Sequence, residues 1–148
     1  MNKILIIGCG GIGSRHLQAL SKINLMVEII VVDKSAKSID RARAIFNEMP
    51  QNDLIKCVKY SSSLESIDFD VDIAIIATNS NVRKKIIEKI IEKINVKYFI
   101  LEKVAFQSVD CFKEVIDLMI KNNSKAWVNC VNRLFPAYKD LKRNIYDN

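Results

Sequence analysis

Gly8, Gly10 and Gly13 stand in the order G-x-G-x-x-G within the segment IGCGGIG. Each glycine in that spacing has a physical task. Gly8 permits a tight turn out of a strand. Gly10 has no side chain, so the backbone from Gly10 through Gly11 and Ile12 can approach a pyrophosphate. Gly13 lets the following helix pack close against the strand. The unpaired N–H groups at the start of that helix, and the positive end of its dipole, attract phosphate. About 20 residues after Gly13 comes Asp33, at the end of the next apolar run, where a carboxylate accepts hydrogen bonds from the two ribose hydroxyls of an adenosine. The pattern therefore predicts a dinucleotide site. Asp33 repels a 2′-phosphate, which favours NAD(H). Lys34, Ser35 and Lys37 follow directly and can hold that phosphate, which leaves NADP(H) as the alternative. A glycine turn that merely joins a strand to a helix is the simpler reading, and the setting of the motif argues against it.

That setting is an alternation of strand and helix signals along the chain. Lys3 to Ile7, Val27 to Val32, Cys57 to Tyr60, Val71 to Ala77, Lys97 to Leu101 and Trp127 to Val131 read as strands, and the longer ones are apolar throughout, as strands buried on both faces are. Between them, helical spacing runs from Ile12 to Ile23 and from a Ser35 cap to about Met49, where Pro50 stops it. Val82, Ile86, Ile87, Ile90, Ile91 and Ile94 form one stripe of a further helix, and Phe112, Val115, Ile116, Met119 and Ile120 mark another. Pro136 opens a last helix with Tyr138, Leu141 and Ile145 on one face. Ser61 to Phe69 reads as a loop with one helical turn. The fold class is α/β, a Rossmann-type doubly wound parallel sheet of about six strands in a single domain, with a C-terminal connecting helix.

In such a sheet, ligands bind beyond the carboxyl ends of the strands. The polar residues at those ends are Thr78 and Asn79 after the fourth strand, Glu102 and Lys103 after the fifth, and Asn132 and Arg133 after the sixth. Each has a plain reading as well. Thr78 and Asn79 are common turn and cap residues, Glu102 and Lys103 make an ordinary charge pair, Asn132 can start a turn, and Arg133 can hold a substrate anion or pair with a carboxylate. His16 reads as a packing or capping residue on the first helix, and Trp127 as core.

Composition bounds the function. The chain has 148 residues, 49% hydrophobic and 27% charged, with a net charge of +6. That is the composition of a soluble globular domain able to bury its own core. The lysines are spread between apolar residues, and the Arg83 to Lys85 run reads as a solvated helix face rather than a nucleic-acid patch. Cys9, Cys57, Cys111 and Cys130 form no C-x-x-C pair, and His16 is the single histidine, so no metal site is expected. Reduced thiols, a first apolar run too short for a signal peptide and the lack of a membrane-length apolar stretch predict a cytoplasmic protein without a membrane partner.

Four blocks resemble the glucose–fructose oxidoreductase, inositol dehydrogenase and rhizopine-catabolism (Gfo/Idh/MocA) family. IGCGGIGSRHLQAL resembles its opening glycine loop, including the Arg15–His16 pair. DIAIIATNSNVRKKI resembles its fourth strand and loop, and LEKVAF its E-K-P motif. VNCVNRLFPAYKDLK resembles its sixth strand and the asparagine–arginine exit into a connecting helix. The chain departs from the family at Asn79 and Val104, where proline is usual, and at Arg83, where histidine is usual.

The resemblance implies an oxidoreductase acting on a CH–OH group of a sugar, cyclitol or nucleotide-sugar-like substrate, with hydride passing between that carbon and nicotinamide C4. It implies Glu102 and Lys103 beside the cofactor, Lys103 polarising the hydroxyl or sharing its proton, and Asn132 and Arg133 at the substrate. Residues 1–131 then form the dinucleotide-binding domain, and residues 132–148 begin a connector toward a substrate domain absent from this sequence. The chain alone is expected to bind cofactor with little turnover, and its bare apolar surface around Tyr138, Leu141 and Ile145 to favour homo-oligomers. The alternative is a freestanding NAD(H)-binding regulatory or sensor module, like the sensing domains of potassium-transport regulators. The E-K and N-R-x-x-P features favour the enzyme family.

Overall fold

Six short apolar runs become six parallel strands. The computed structural model describes residues 1–146, apart from the side chains of Arg133 and Tyr146. In chain order the elements are β1 (Asn2–Ile7), α1 (Gly11–Leu20), β2 (Val27–Val32), α2 (Ala36–Asn47), β3 (Ile55–Ser61), β4 (Val71–Ile76), α3 (Ser80–Lys93), β5 (Val96–Leu101), α4 (Val109–Lys121), β6 (Lys125–Val128) and α5 (Pro136–Tyr146), with single 3-10 turns at Leu64–Ser66 and Val131–Leu134. The sheet order is β3-β2-β1-β4-β5-β6. The order reverses beside β1, so the crevice at the carboxyl ends opens between β1 and β4.

The core lies in two layers, one on each face of the sheet. Residues alternate between faces along each strand. Ile4 and Ile6 of β1, with Ile29 and Val31 of β2, pack under α1 and α2 against Leu17, Ile39 and Ala42. Leu5 and Ile7, with Ala74, Ile76, Phe99 and Leu101, pack on the other face against Ile87 and Ile90 of α3 and Val115 and Met119 of α4. Each fully buried Ile or Leu contributes about 1.5–3 kcal/mol relative to exposure. A doubly covered central sheet therefore holds the carboxyl-end loops on a rigid base. Ser35 caps α2, its Oγ accepting from Ser38 N at 3.3 Å.

Four expectations are corrected. The apolar run to Val131 does not extend β6, which ends at Val128. Asn129 N donates the last cross-strand bond, to Leu101 O at 2.8 Å, and Cys130 N then donates back to Val128 O at 2.8 Å, which turns the chain out of the ladder. Trp127 is not core: it is 55% exposed, tilted against Tyr98 with ring centroids 5.6 Å apart. β6 is an edge strand, and the α1–α2 layer covers β1 to β3 and reaches Ile75 of β4 and Ile100 of β5, so the outer part of this face, at Tyr98 and Trp127, stays exposed among the described residues. On α3, Val82 is exposed, and the buried face is instead formed by Arg83, Ile87 and Ile90. The run at Arg83 is thus not a solvated face: Lys85 is exposed, Lys84 is half-buried against Glu88 and Glu114, and Arg83 is buried.

No helix among the described residues is long and apolar enough to cross a membrane. None of their His, Cys, Asp and Glu side chains cluster as a metal site would require. The four cysteines are free thiols.

Candidate dinucleotide site

The glycine loop is shaped by three different constraints. Gly8 has φ +87°, a backbone region that L side chains rarely adopt, and a Cβ there would also press on Thr78 Cγ2 at 3.0 Å. Gly13 sits where a Cβ would lie 1.8 Å from the Gly8 carbonyl oxygen, so the first turn of α1 rests directly on the end of β1. At Gly10 and Gly11 a Cβ would meet nothing within 4 Å. The protein's own packing therefore does not require glycine at those two positions, and the space above them is open. Gly10 is the N-cap of α1 and has no side chain to bond the first helical N–H groups, so those of Gly11, Ile12 and Gly13 face the same space. Ile12 is 55% exposed beside it.

Asp33 stands one strand over, at the exit of β2. Its Oδ2 accepts from Cys9 N at 2.8 Å and its Oδ1 from Ser35 N at 2.9 Å. Both carboxylate oxygens are thus held by backbone, one of them within the glycine loop itself, and the remaining lone pairs stay available to a ribose. Lys34 is exposed next to it. Burial, and then the Asp33 charge, push the Cys9 thiol up to about 12, so this cysteine is a small packed group rather than a nucleophile.

On the other side of β1, an open cleft of about 470 Å³ is lined by Ile12, Thr78, Asn79, Arg83, Glu102, Lys103, Val104 and Gln107, with Ala77, Ser80 and Asn81. Its size is that of a small-molecule site. Asn79 is the N-cap of α3 but makes no side-chain cap bond, which leaves its amide to the cleft. Thr78 Oγ1 is buried without a hydrogen-bond partner among the described residues. Lys103 is exposed on the rim, and the peptide bond between it and Val104 is cis.

Glu102 is the buried anchor beneath this cleft. Its Oε1 accepts from His16 Nε2 at 2.7 Å and from Asn129 Nδ2 at 2.6 Å. Burial alone would raise its carboxyl; the bonds from Asn129 and His16, with the nearby imidazole, outweigh that and hold it below its ordinary value. A carboxyl lowered on folding stabilises the fold above its ordinary value, and that contribution is lost as pH falls through the lowered one. Glu102→Gln is therefore expected to lower the melting temperature at neutral pH, with the gap to the unaltered chain narrowing as pH falls below about 4. Melting curves between pH 7 and pH 3 check this; a gap independent of pH would mean that the Glu102 charge does not support the fold.

The structure brings the glycine loop, Asp33, Thr78, Asn79, Glu102 and Lys103 to one edge of the sheet. Asn132 is exposed on the 3-10 turn after β6 and does not line the cleft. The side chain of Arg133 lies outside the described residues. His16, reached as a packing or capping residue, bonds Glu102 across 86 residues of sequence. Asn129 carries no signal in the sequence, and Arg83 reads there as part of a solvated basic run and as a departure from the family's histidine, not as a site residue. For Arg83 a signal existed: it falls on the same helical face as Ile87, Ile90 and Ile94, where a solvated residue would be out of place.

A parallel sheet of this order, a glycine cradle at its reversal point and an acidic residue on the neighbouring strand define a dinucleotide-binding Rossmann domain. The chain belongs to the Gfo/Idh/MocA oxidoreductase family, as its NAD-binding Rossmann-fold domain: residues 2–130 match the model of that family. No curated protein matches the sequence. Solved structures share the fold at low identity. The WlbA dehydrogenase from Chromobacterium violaceum, in complex with NADH and UDP-GlcNAcA, has a TM-score of 0.81 at 21% identity over 99% of this chain and 40% of that one. The myo-inositol dehydrogenase from Lactobacillus casei, in complex with NAD(H) and myo-inositol, has a TM-score of 0.76 at 18% identity over 98% of this chain and 41% of that one. UDP-N-acetylglucosamine 3-dehydrogenase from Acidithiobacillus ferrooxidans has a TM-score of 0.76 at 19% identity over 97% and 42%. This chain spans about 40% of the length of the structures it resembles.

Proposed function

We propose that the chain binds NAD(H) across the reversal point of its sheet and forms the cofactor half of an enzyme that oxidises an alcohol carbon. The observation that carries this reading is the open space over Gly10 and Gly11 at the start of α1, flanked by the fixed Asp33 carboxylate. A pyrophosphate there would accept hydrogen bonds from the N–H groups of Gly11, Ile12 and Gly13. Asp33 follows β2 on one side of β1 and the cleft lies over β4 and β5 on the other, so the two nucleosides would fall on opposite sides of β1. Asp33 receives the adenosine ribose on the β2 side, beside Lys34. The cleft over β4 and β5, with Thr78 and Asn79, would hold the nicotinamide riboside. When bound, the cofactor supplies the hydride chemistry.

The chain's own residues position that cofactor. Lys103, on the rim next to the Glu102 anchor, stands where it can polarise a substrate hydroxyl or share its proton. Structural relatives crystallised with UDP-GlcNAcA or myo-inositol support a sugar, cyclitol or nucleotide sugar as the substrate class, with Asn132 and Arg133 as candidates to hold it. Residues 1–131 act as the dinucleotide-binding unit, and residues 132–148 as the start of a connector.

Preference for NAD(H) over NADP(H) rests on Asp33. Removing its charge in Asp33→Ser takes away the repulsion of a 2′-phosphate and a charged acceptor for the ribose. A contact of that kind is worth about 1.5–3 kcal/mol. The ratio of NADP to NAD affinity is expected to rise tenfold or more, as read by titration calorimetry with both dinucleotides. An unchanged ratio would remove Asp33 from the ribose.

A further inference from the structure

Among the described residues Arg83 is the one buried cation, and its partners are peptide carbonyls. It is 2% exposed. Nη1 donates to the carbonyls of Glu102, Val104 and Ala105, the last at 2.8 Å, and Nη2 donates to the carbonyl of Thr78. None of the acceptors recorded for it is a carboxylate, although the Glu102 charge acts on it through space. Desolvating a guanidinium is costly, and an apolar side chain at this place on α3 would pack beside Ile87 without that cost. What the guanidinium supplies and an apolar group cannot is a tie between two separate segments. Thr78 belongs to the loop from β4 to α3; Glu102, Val104 and Ala105 belong to the loop from β5 to α4.

Those two loops are the walls of the cleft over β4 and β5, and Arg83 lies at the floor where they meet. The planar fork suits this task, because its two Nη atoms point in fixed directions, one toward each loop. Val104 has the free φ of an ordinary residue, and the bond to its carbonyl restrains the path of the chain just after Lys103.

We infer that Arg83 is a positioning residue for the nicotinamide end of the site, holding the Thr78–Asn79 and Lys103–Val104 segments at the separation that the ring requires. The inference rests on the cofactor placement proposed above. It is confined to one end of the dinucleotide: the glycine loop and Asp33 are held by other bonds, so the adenosine and pyrophosphate contacts do not depend on Arg83.

The test compares NADH with ADP-ribose, which carries the adenosine and both phosphates but no nicotinamide. Affinities of the 148-residue chain for both ligands are measured by calorimetry for the unaltered sequence, Arg83→Met, Arg83→Gln and Arg83→Lys. In Arg83→Met and Arg83→Gln the ratio of NADH to ADP-ribose affinity is expected to fall about tenfold, with ADP-ribose affinity changed less than twofold. Arg83→Lys, which keeps the charge but loses the fork, recovers only part of the ratio. Using three variants keeps the comparison alive if the methionine variant fails to fold. A parallel loss of both ligands, or an unchanged ratio, overturns the inference and leaves Arg83 as a packing element only. Failure of the unaltered chain to bind ADP-ribose or NADH overturns the placement of the cofactor, and this inference with it.

Discussion

Gly10→Val is expected to abolish NADH binding while leaving the fold in place. The two effects separate because a Cβ at Gly10 meets no protein atom within 4 Å and its φ of −60° lies outside the left-handed region that favours glycine. The loss of stability should stay near the roughly 1 kcal/mol that a poorer helix cap costs, a shift of about 2–4 °C in a domain of this size. Binding is another matter, since the isopropyl group occupies the volume in which the pyrophosphate must meet the helix N–H groups. Fluorescence titration with NADH, beside a thermal melt, reads both quantities. Equal NADH affinity in the variant and the unaltered chain would place the phosphates elsewhere.

Gly13→Ala should do the reverse and strike the fold first. The added methyl would lie 1.8 Å from the Gly8 carbonyl oxygen and 2.8 Å from its carbonyl carbon. Both are backbone atoms at the end of a central strand, and Gly8 is itself fixed by its N–H bond to Val32 O at 2.8 Å, so neither can swing aside. The helix must lift off the sheet, breaking the packing of Leu17 and the buried bond from Ser14 Oγ to Cys9 O. Overpacking of this kind costs about 3 kcal/mol or more, a fall of roughly 6–12 °C in melting temperature. A variant that melts within 2 °C of the unaltered chain would contradict the close approach of α1 to β1.

The two predictions concern the part of the site that was most legible in the sequence, and the reason is locality. Gly8, Gly10, Gly13 and Asp33 lie within the first strand–helix–strand unit, where turn chemistry and hydrophobic period determine which residues meet. The polar groups after β4 and β5 were legible as a set, because a parallel sheet delivers all strand ends to one edge whatever the details of packing. The support beneath them was not. The His16–Glu102 pair spans 86 residues and the Asn129–Glu102 pair 27, and both form only because β1, β4, β5 and β6 are neighbours in that order. Arg83 looked like part of a basic run. Only its place on the Ile87 face, with four carbonyls converging on it, separates it from Lys84 and Lys85. Trp127 misled in the opposite sense: its apolar character predicted core, whereas its exposure depends on how far the α1–α2 layer extends across the sheet.

The central claim, that NAD(H) lies across the reversal point with its pyrophosphate at the start of α1, is tested most directly by amide chemical shifts. The account predicts that adding NADH to the isotope-labelled chain produces saturable shifts, largest at Gly10 to Gly13, with further shifts at Asp33 to Ser35 on one side and at Thr78, Asn79 and Lys103 on the other. Saturable binding whose shifts spare the Gly10–Gly13 amides, or no saturable shift at all, would contradict it.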